Sequence, residues 1–217
     1  AKPMIGYTSV LKGVWKPWTE NSFYYTLYDL GYFMDLETGL PIKEFKNPFT
    51  GEINWPGKIK GGPFDRVIRP EVRKFTVRNN DIWINEDLFI NVVNKLDPEI
   101  WPKASAGKTL NFLYVESYNG KVSDLADPEI SSAPMQLIST HNTSWYPFFL
   151  MGQRPGGQYW QAIGNKVANL ERDVPSVLLN YIEKEIPGYF ESERPWKQRT
   201  DTFQEYKKER KPVKTLG

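Results

Sequence analysis

Along most of this chain the apolar positions recur at every second residue, and helical spacing takes over only near the end. Residues 22–35, Ser-Phe-Tyr-Tyr-Thr-Leu-Tyr-Asp-Leu-Gly-Tyr-Phe-Met-Asp, form a long β-favouring run that stops at the turn signal Glu37-Thr38-Gly39. Before it, residues 6–18 mix Gly6, Gly13, Pro17 and aromatics and predict a short strand with an irregular lead-in. Residues 40–45 read as a returning strand, closed by the turn Asn47-Pro48-Phe49-Thr50-Gly51-Glu52, so this part describes an antiparallel meander.

Residues 58–62 read as a glycine–lysine connector. Residues 65–78 are strand text interrupted by Pro70, which suits an edge or a bulge. Asn79-Asn80-Asp81 predicts a hairpin turn, and Ile82, Trp83 and Ile84 leave it. Residues 88–93 fit a strand or one helical turn equally well, and residues 97–108 read as loop. Residues 109–118 predict a strand ending at Asn119-Gly120, the strongest hairpin dipeptide, with 121–125 returning and 127–133 as loop. Residues 135–146 predict the next strand.

After Asn165 the period changes. Asp173 reads as an N-cap, with Pro175 in the first turn and Val177, Leu178, Tyr181 and Ile182 at helical spacing up to Pro187-Gly188. A second helix is expected from residue 200 or 201 to about 210, with only Phe203 and Tyr206 on its apolar face. The whole predicts one domain over 1–217, with a barrel-like core at about 6–165 and a helical region at about 173–211. The fold class is mainly β (α+β). Its eight to ten strands form an antiparallel curled sheet or a lipocalin-like β-barrel with C-terminal helices, because closure hides strand edges.

Charge narrows the function classes. With 28 basic against 26 acidic residues the net charge is only +2, which exerts no global pull toward nucleic acid or an anionic membrane. The basic residues of 194–214 alternate with acidic ones and read as a solvated face. Cysteine is absent and histidine occurs once, which argues against disulfides, a cysteine nucleophile, thiolate zinc, iron–sulfur clusters and polyhistidine metal chemistry. No metal and no organic cofactor is expected. No apolar run approaches the length of a membrane span. The chain starts Ala1-Lys2-Pro3, so a cytoplasmic or, after signal removal, a periplasmic location is compatible with it.

Aromatic content changes the picture most. Eight Trp, 12 Tyr and 12 Phe make 15%, a level that suits a β-rich core or a cavity walled with rings. The densest chemistry lies in Ser139-Thr140-His141-Asn142-Thr143-Ser144-Trp145-Tyr146-Pro147-Phe148-Phe149, where the one histidine meets amides, hydroxyls and rings. On a strand His141 shares a face with Leu137, Ser139, Thr143 and Trp145, and its ordinary pKa suits both acid and base work. A structural or exposed histidine is the bland alternative.

Tyr114 and Glu116 share a face with Leu110, Phe112 and Tyr118, and a carboxylate among rings has its pKa raised by desolvation. Asp29 lies mid-strand among aromatics and, if inward, needs a partner such as Arg69 or Arg73, in a pair that could equally be structural. Asn142, Trp145, Tyr24, Tyr28 and Arg69 are candidates for substrate binding, Tyr24 and Tyr28 on one face and Phe23 and Tyr25 on the other. Core or rim packing is the plain alternative for the tyrosines.

Three blocks carry a family resemblance: Tyr32-Phe33-Met34-Asp35-Leu36-Glu37-Thr38-Gly39 with Asn47-Pro48-Phe49-Thr50-Gly51-Glu52; Asn142, Trp145, Pro147 and Met151-Gly152; and residues 174–189. They resemble DUF1838, a bacterial and fungal domain of unknown function, over roughly residues 20–195. Leu36 and Leu40 depart from the family's proline and glutamate. The resemblance implies a shared fold and a small-molecule pocket, and brings no assigned active site.

Residues and resemblance together lead to an expected function: a cofactor-independent lyase, isomerase or dehydratase acting on a small aromatic substrate. A lignin-derived phenolic dimer, cleaved at a carbon–carbon or carbon–oxygen bond with loss of a small fragment such as formaldehyde, is the concrete form. The rival readings are a lipocalin-like carrier of a hydrophobic molecule and an oligomer-forming domain, and a homodimer is compatible with the exposed rings.

Overall fold

Long alternating strands build two antiparallel sheets in the computed structural model, which describes residues 3–69, 74–93, 109–152 and 154–200. Strand β1 (Gly6–Thr19) pairs with β2 (Ser22–Met34), and β2 pairs with β5 (Lys58–Ile68), giving a three-stranded sheet. Strands β6 (Lys74–Arg78), β7 (Asp81–Val93), β8 (Thr109–Lys121), β9 (Met135–Ser144) and β10 (Gly157–Asn165) form a five-stranded sheet in the order β10-β9-β8-β7-β6. Between β2 and β5, β3 (Phe45–Lys46) and β4 (Ile53–Asn54) make a minimal hairpin.

The mainly β, antiparallel character therefore holds, with ten strands among the described residues. Lipocalin-like closure is not formed by those strands. The edges β1 and β10 meet through side chains, Tyr7 against Trp160 with ring centroids 5.2 Å apart, and no backbone ladder joins them. The result is a pair of facing sheets with an open seam.

The sheets enclose one core at one end, where Phe33, Phe45, Ile59 and Trp160 pack against Phe148, Phe149, Leu150 and Met151. Those last residues follow β9 through a short 3-10 turn, Pro147–Phe149. Asn47 ties the β3–β4 turn to this segment. Its amide nitrogen donates to the Phe149 carbonyl and touches the Met151 sulfur at 3.3 Å, and its Oδ1 accepts from Phe49 N at 2.7 Å and Thr50 N at 3.3 Å. Asn47 is only 1% exposed. Asn47→Ala is expected to cost about 2–3 kcal/mol, because it orphans buried backbone groups at both ends. Chemical denaturation checks this, and a cost below about 1 kcal/mol would show that the turn is held by other contacts.

A second core covers the opposite face of the three-stranded sheet. Helix α3 (Ser176–Glu185) presents Leu178 and Ile182, one turn apart, and with Val174 and Tyr189 they pack on Tyr28, Leu30 and Tyr32. Lys12 fastens the segment after the helix, its ammonium donating to the carbonyls of Tyr189, Phe190 and Ser192 at 2.6–2.7 Å. Two shorter helices, α1 (Val122–Ala126) and α2 (Leu170–Asp173), connect elements.

Several local expectations are corrected. Residues 58–62 begin β5 and are no connector, because residues 58–61 pair in register with Tyr32, Gly31, Leu30 and Asp29 and Gly62 bridges Thr200. Asn119-Gly120 lies inside β8 and makes no hairpin. It is paired on both sides, Asn119 with Trp83 and Gln136, Gly120 with Ile82 and Met135, and the ladders outweigh the dipeptide's turn preference. Residues 121–125 accordingly do not return as a strand.

Residues 40–45 supply only the bridge Met34↔Pro41 and the start of β3. Residues 88–93 are strand, as the end of β7. The helix begins at Ser176, and Asp173 instead accepts from the Ala168 and Asn169 amides at 3.0 and 2.9 Å. The loop at 97–108, the break at Pro70 and the second helix from 201 onward lie outside the described residues.

Candidate functional site between the sheets

Alternation along β8 and β9 turns Phe112, Tyr114, Glu116 and Tyr118, and Ser139, His141 and Thr143, toward the other sheet. Register sets them side by side: Phe112 opposite Thr143, Tyr114 opposite His141, Glu116 opposite Ser139. His141 Nε2 lies 2.7 Å from Ser139 Oγ, Ser139 Oγ donates to Glu116 Oε1 at 3.4 Å, and Tyr118 donates to Glu116 Oε2 at 3.0 Å. A serine hydroxyl carries one proton. When it is given to Glu116, Nε2 must be the protonated imidazole nitrogen, and Nδ1 is left as the acceptor. The Tyr114 ring packs edge-on to the imidazole, with centroids 4.1 Å apart.

The three-stranded sheet supplies Asp29, Ser9 and Tyr7 to the same space. Gly31 and Gly61 flank Asp29, the first two residues along β2 and the second directly opposite on β5. A Cβ at Gly31 would sit 2.0 Å from the Thr8 carbonyl oxygen, so β1 and β2 approach closely there and only glycine fits. Beyond Asp29, Arg66 reaches across from β5 to bind Glu86 of β7 at 2.8 Å, over the face of Tyr25. Glu86 is the register partner of Glu116. One end of the inter-sheet space is thus ionic, and the other is aromatic, where Tyr146 stacks on Trp160 at 5.7 Å and Phe112 on Tyr114 at 6.0 Å.

Burial sets the proton affinities. The Asp29 carboxyl is pushed up to about 6, mainly by loss of water, against a hydrogen bond from Ser9 and with a further push from Glu116. Its Oδ1 is buried without a hydrogen-bond partner. Burial also raises Glu116, countered by the Tyr118 hydrogen bond. His141 is lowered to about 4 by desolvation and is neutral at physiological pH. The phenols of Tyr7, Tyr114 and Tyr146 are raised, first by burial and then by one another and by Asp29 or Glu116, so they remain donors. A carboxylate that titrates near neutrality, ringed by protonated phenols, can take a proton while its neighbours stabilise the negative charge that develops.

The structure brings His141, Tyr114, Glu116 and Asp29 together and sets the other candidates elsewhere. Asn142 points out from the opposite, exposed face of β9. Trp145 lies past the end of β9 and packs with Phe49 and Phe149. Tyr24 is on the helix-covered side of its sheet, bonded to Asp65 Oδ1 at 2.7 Å. Tyr28 faces the same way, fully buried against Trp196. Arg69 is exposed just past β5 and Arg73 lies outside the described residues; among the described residues the cation paired across the sheets at this site is Arg66. Sequence reasoning missed Tyr7, Ser9, Arg66, Glu86 and Tyr146 as members. The period-two pattern of β1 could have placed Tyr7 and Ser9 on one face, but not which face meets β8 and β9.

The model of the family described as "Protein of unknown function (DUF1838)" matches residues 5–210. The chain belongs to the DUF1838 family. No curated protein and no solved structure matches it. The DUF1838 match takes in both sheets, so Tyr7, Asp29, Tyr114, Glu116 and His141 all belong to the shared domain. Among the described residues no group of three or more His, Cys, Asp and Glu is arranged to hold a metal ion, and no helix is long and apolar enough to cross a membrane.

Proposed function

We propose that this DUF1838 protein is a cofactor-independent lyase or isomerase that moves protons on a small aromatic substrate held between the sheets. The observation that carries the reading is the buried Asp29 carboxyl, raised to about 6 and unpartnered at Oδ1, facing a wall that holds His141, Tyr114 and Glu116. Asp29 is the general base. Tyr7 and Tyr114 donate hydrogen bonds to an oxygen that gains negative charge. His141, oriented by Ser139, accepts a substrate hydroxyl at Nδ1.

Asp29, Glu86 and Glu116 outnumber Arg66, which supports an uncharged, phenolic substrate over a carboxylate or phosphate. A phenolic dimer bearing a hydroxymethyl group fits these terms. Asp29 removes the hydroxyl proton, the adjacent carbon–carbon bond breaks to release formaldehyde, and the electron pair forms a carbon–carbon double bond between the rings as a hydroxyl or aryl-ether oxygen leaves the next carbon, protonated by a tyrosine phenol.

A panel of phenolic dimers with and without a hydroxymethyl group tests this, with products followed by mass spectrometry and formaldehyde by trapping. His141→Ala is expected to lower kcat by about a hundredfold, and a loss below about tenfold removes His141 as the group that positions the substrate hydroxyl. The stacked wall of Phe112, Tyr114, Tyr146 and Trp160 also favours a second reading, a carrier of aromatic ligands. Tight binding of panel members with no turnover by the wild-type chain selects the carrier.

A further inference from the structure

The five-stranded sheet has a second face, turned away from the other sheet, and its composition is unusual. Where the chain as a whole is 25% charged, the outward positions within 85–93, 111–119, 136–144 and 157–165 hold one charged residue, Asp87. The rest are apolar side chains interleaved with Asn, Gln, Ser, Thr and one Gly. Phe89, Leu113, Val115, Ile138, Tyr159 and Ile163 are all exposed there, Phe89, Tyr159 and Ile163 by more than 60%. Register gathers them: Tyr159, Asn142, Leu113 and Phe89 form one row across the strands, and Ile163, Ile138 and Ser117 another. Charges return at the margin, with Lys74 and Arg78 on β6 and the Asp81–Lys121 pair at the strand ends.

We propose that this face is the interface of a homodimer, two copies packing sheet against sheet. Depletion of charge at the centre with a charged rim is the compositional mark of a protein interface. An uncharged face offers no counter-charge to a charged partner, whereas it meets its own copy without like-charge repulsion, apart from Asp87 near one side. Isologous pairing of this kind is the commonest form of assembly. Size agrees: four strands about 4.8 Å apart and about 30 Å long give about 600 Å² per copy, or about 1,200 Å² in all, above the roughly 1,000 Å² a specific interface needs. Amide and hydroxyl side chains among the apolar ones suit a protein surface better than lipid.

Sedimentation equilibrium of the full chain at micromolar concentrations tests this, with an expected mass near twice 25.2 kDa. Val115→Lys combined with Ile138→Lys sets two ammonium groups in the middle of the face and is expected to weaken the dimer at least about a hundredfold. Both positions are exposed in the single chain, so the variant's fold, checked by circular dichroism, is retained. A monomeric wild type at about 100 µM overturns the proposal, as does a variant that dimerises as tightly as the parent. Protection of these strands from solvent labelling in a monomer also overturns it, and assigns the cover to another part of the chain.

Discussion

Asp29→Asn is expected to reduce turnover by about a thousandfold while the protein becomes no less stable, and at neutral pH becomes more so. The two effects share one cause. In the unfolded chain this carboxyl ionises near 3.8, whereas in the folded protein it holds its proton up to about 6. Between those values the unfolded chain has released a proton that the folded one keeps, so stability falls as pH rises through the window. Above it the ionised carboxylate costs the fold about 3 kcal/mol, the cost of desolvation. Asparagine removes that cost and the base together.

Thermal melts of both proteins from pH 4 to pH 8 read the first effect, and kcat/KM across the same range reads the second. Wild-type activity should rise through about pH 6 as Asp29 loses its proton. A variant that keeps a tenth of the activity, or loses stability above pH 6, would remove Asp29 from the role of base.

The largest loss of stability is expected from Arg66→Met. Arg66 lies against Glu86 at 2.8 Å, and Glu86 is the register partner of Glu116. Methionine keeps much of the stem's packing on Tyr25 but takes away the cation that faces two carboxylates. Breaking one side of a mostly buried pair should cost about 3 kcal/mol at neutral pH, and less in acid where the carboxyls protonate. Adding Glu86→Gln should return more than half of the loss, since the two changes act on one interaction. Denaturant midpoints for the two single variants and the double variant form the cycle. Purely additive effects would mean that the ion pair is not what Arg66 contributes.

How much of this could be read beforehand depended on whether the information is local. Alternation within β2, β8 and β9 is local, and it correctly divided Tyr24 and Tyr28 from Tyr25, and grouped Tyr114 with Glu116 and Ser139 with His141. Which face another element will cover is not local. A strand displays two faces one residue apart, and alternation puts Asn142 on the face away from His141 and Tyr24 with Tyr28 on one face, but nothing in their neighbourhood tells whether a helix or another sheet covers that face. Arg69 and Arg73 are the cations the sequence suggests for Asp29, whereas the partner that draws Arg66 inward, Glu86, lies on another sheet. Asn119-Gly120 shows the limit of turn chemistry. Its preference for a hairpin is real, and two flanking ladders overcome it.

The seam between β1 and β10 has a consequence for access. A barrel closed by backbone hydrogen bonds would have to break a ladder to let a molecule reach its interior. Here the two edges touch through Tyr7 and Trp160, an edge-to-face contact of the kind worth about 1 kcal/mol. Moving these two rings breaks no ladder bond of either sheet. Trp160 is only 8% exposed and belongs to the aromatic core, so entry along this seam requires buried rings to repack, not the sheets to unfold.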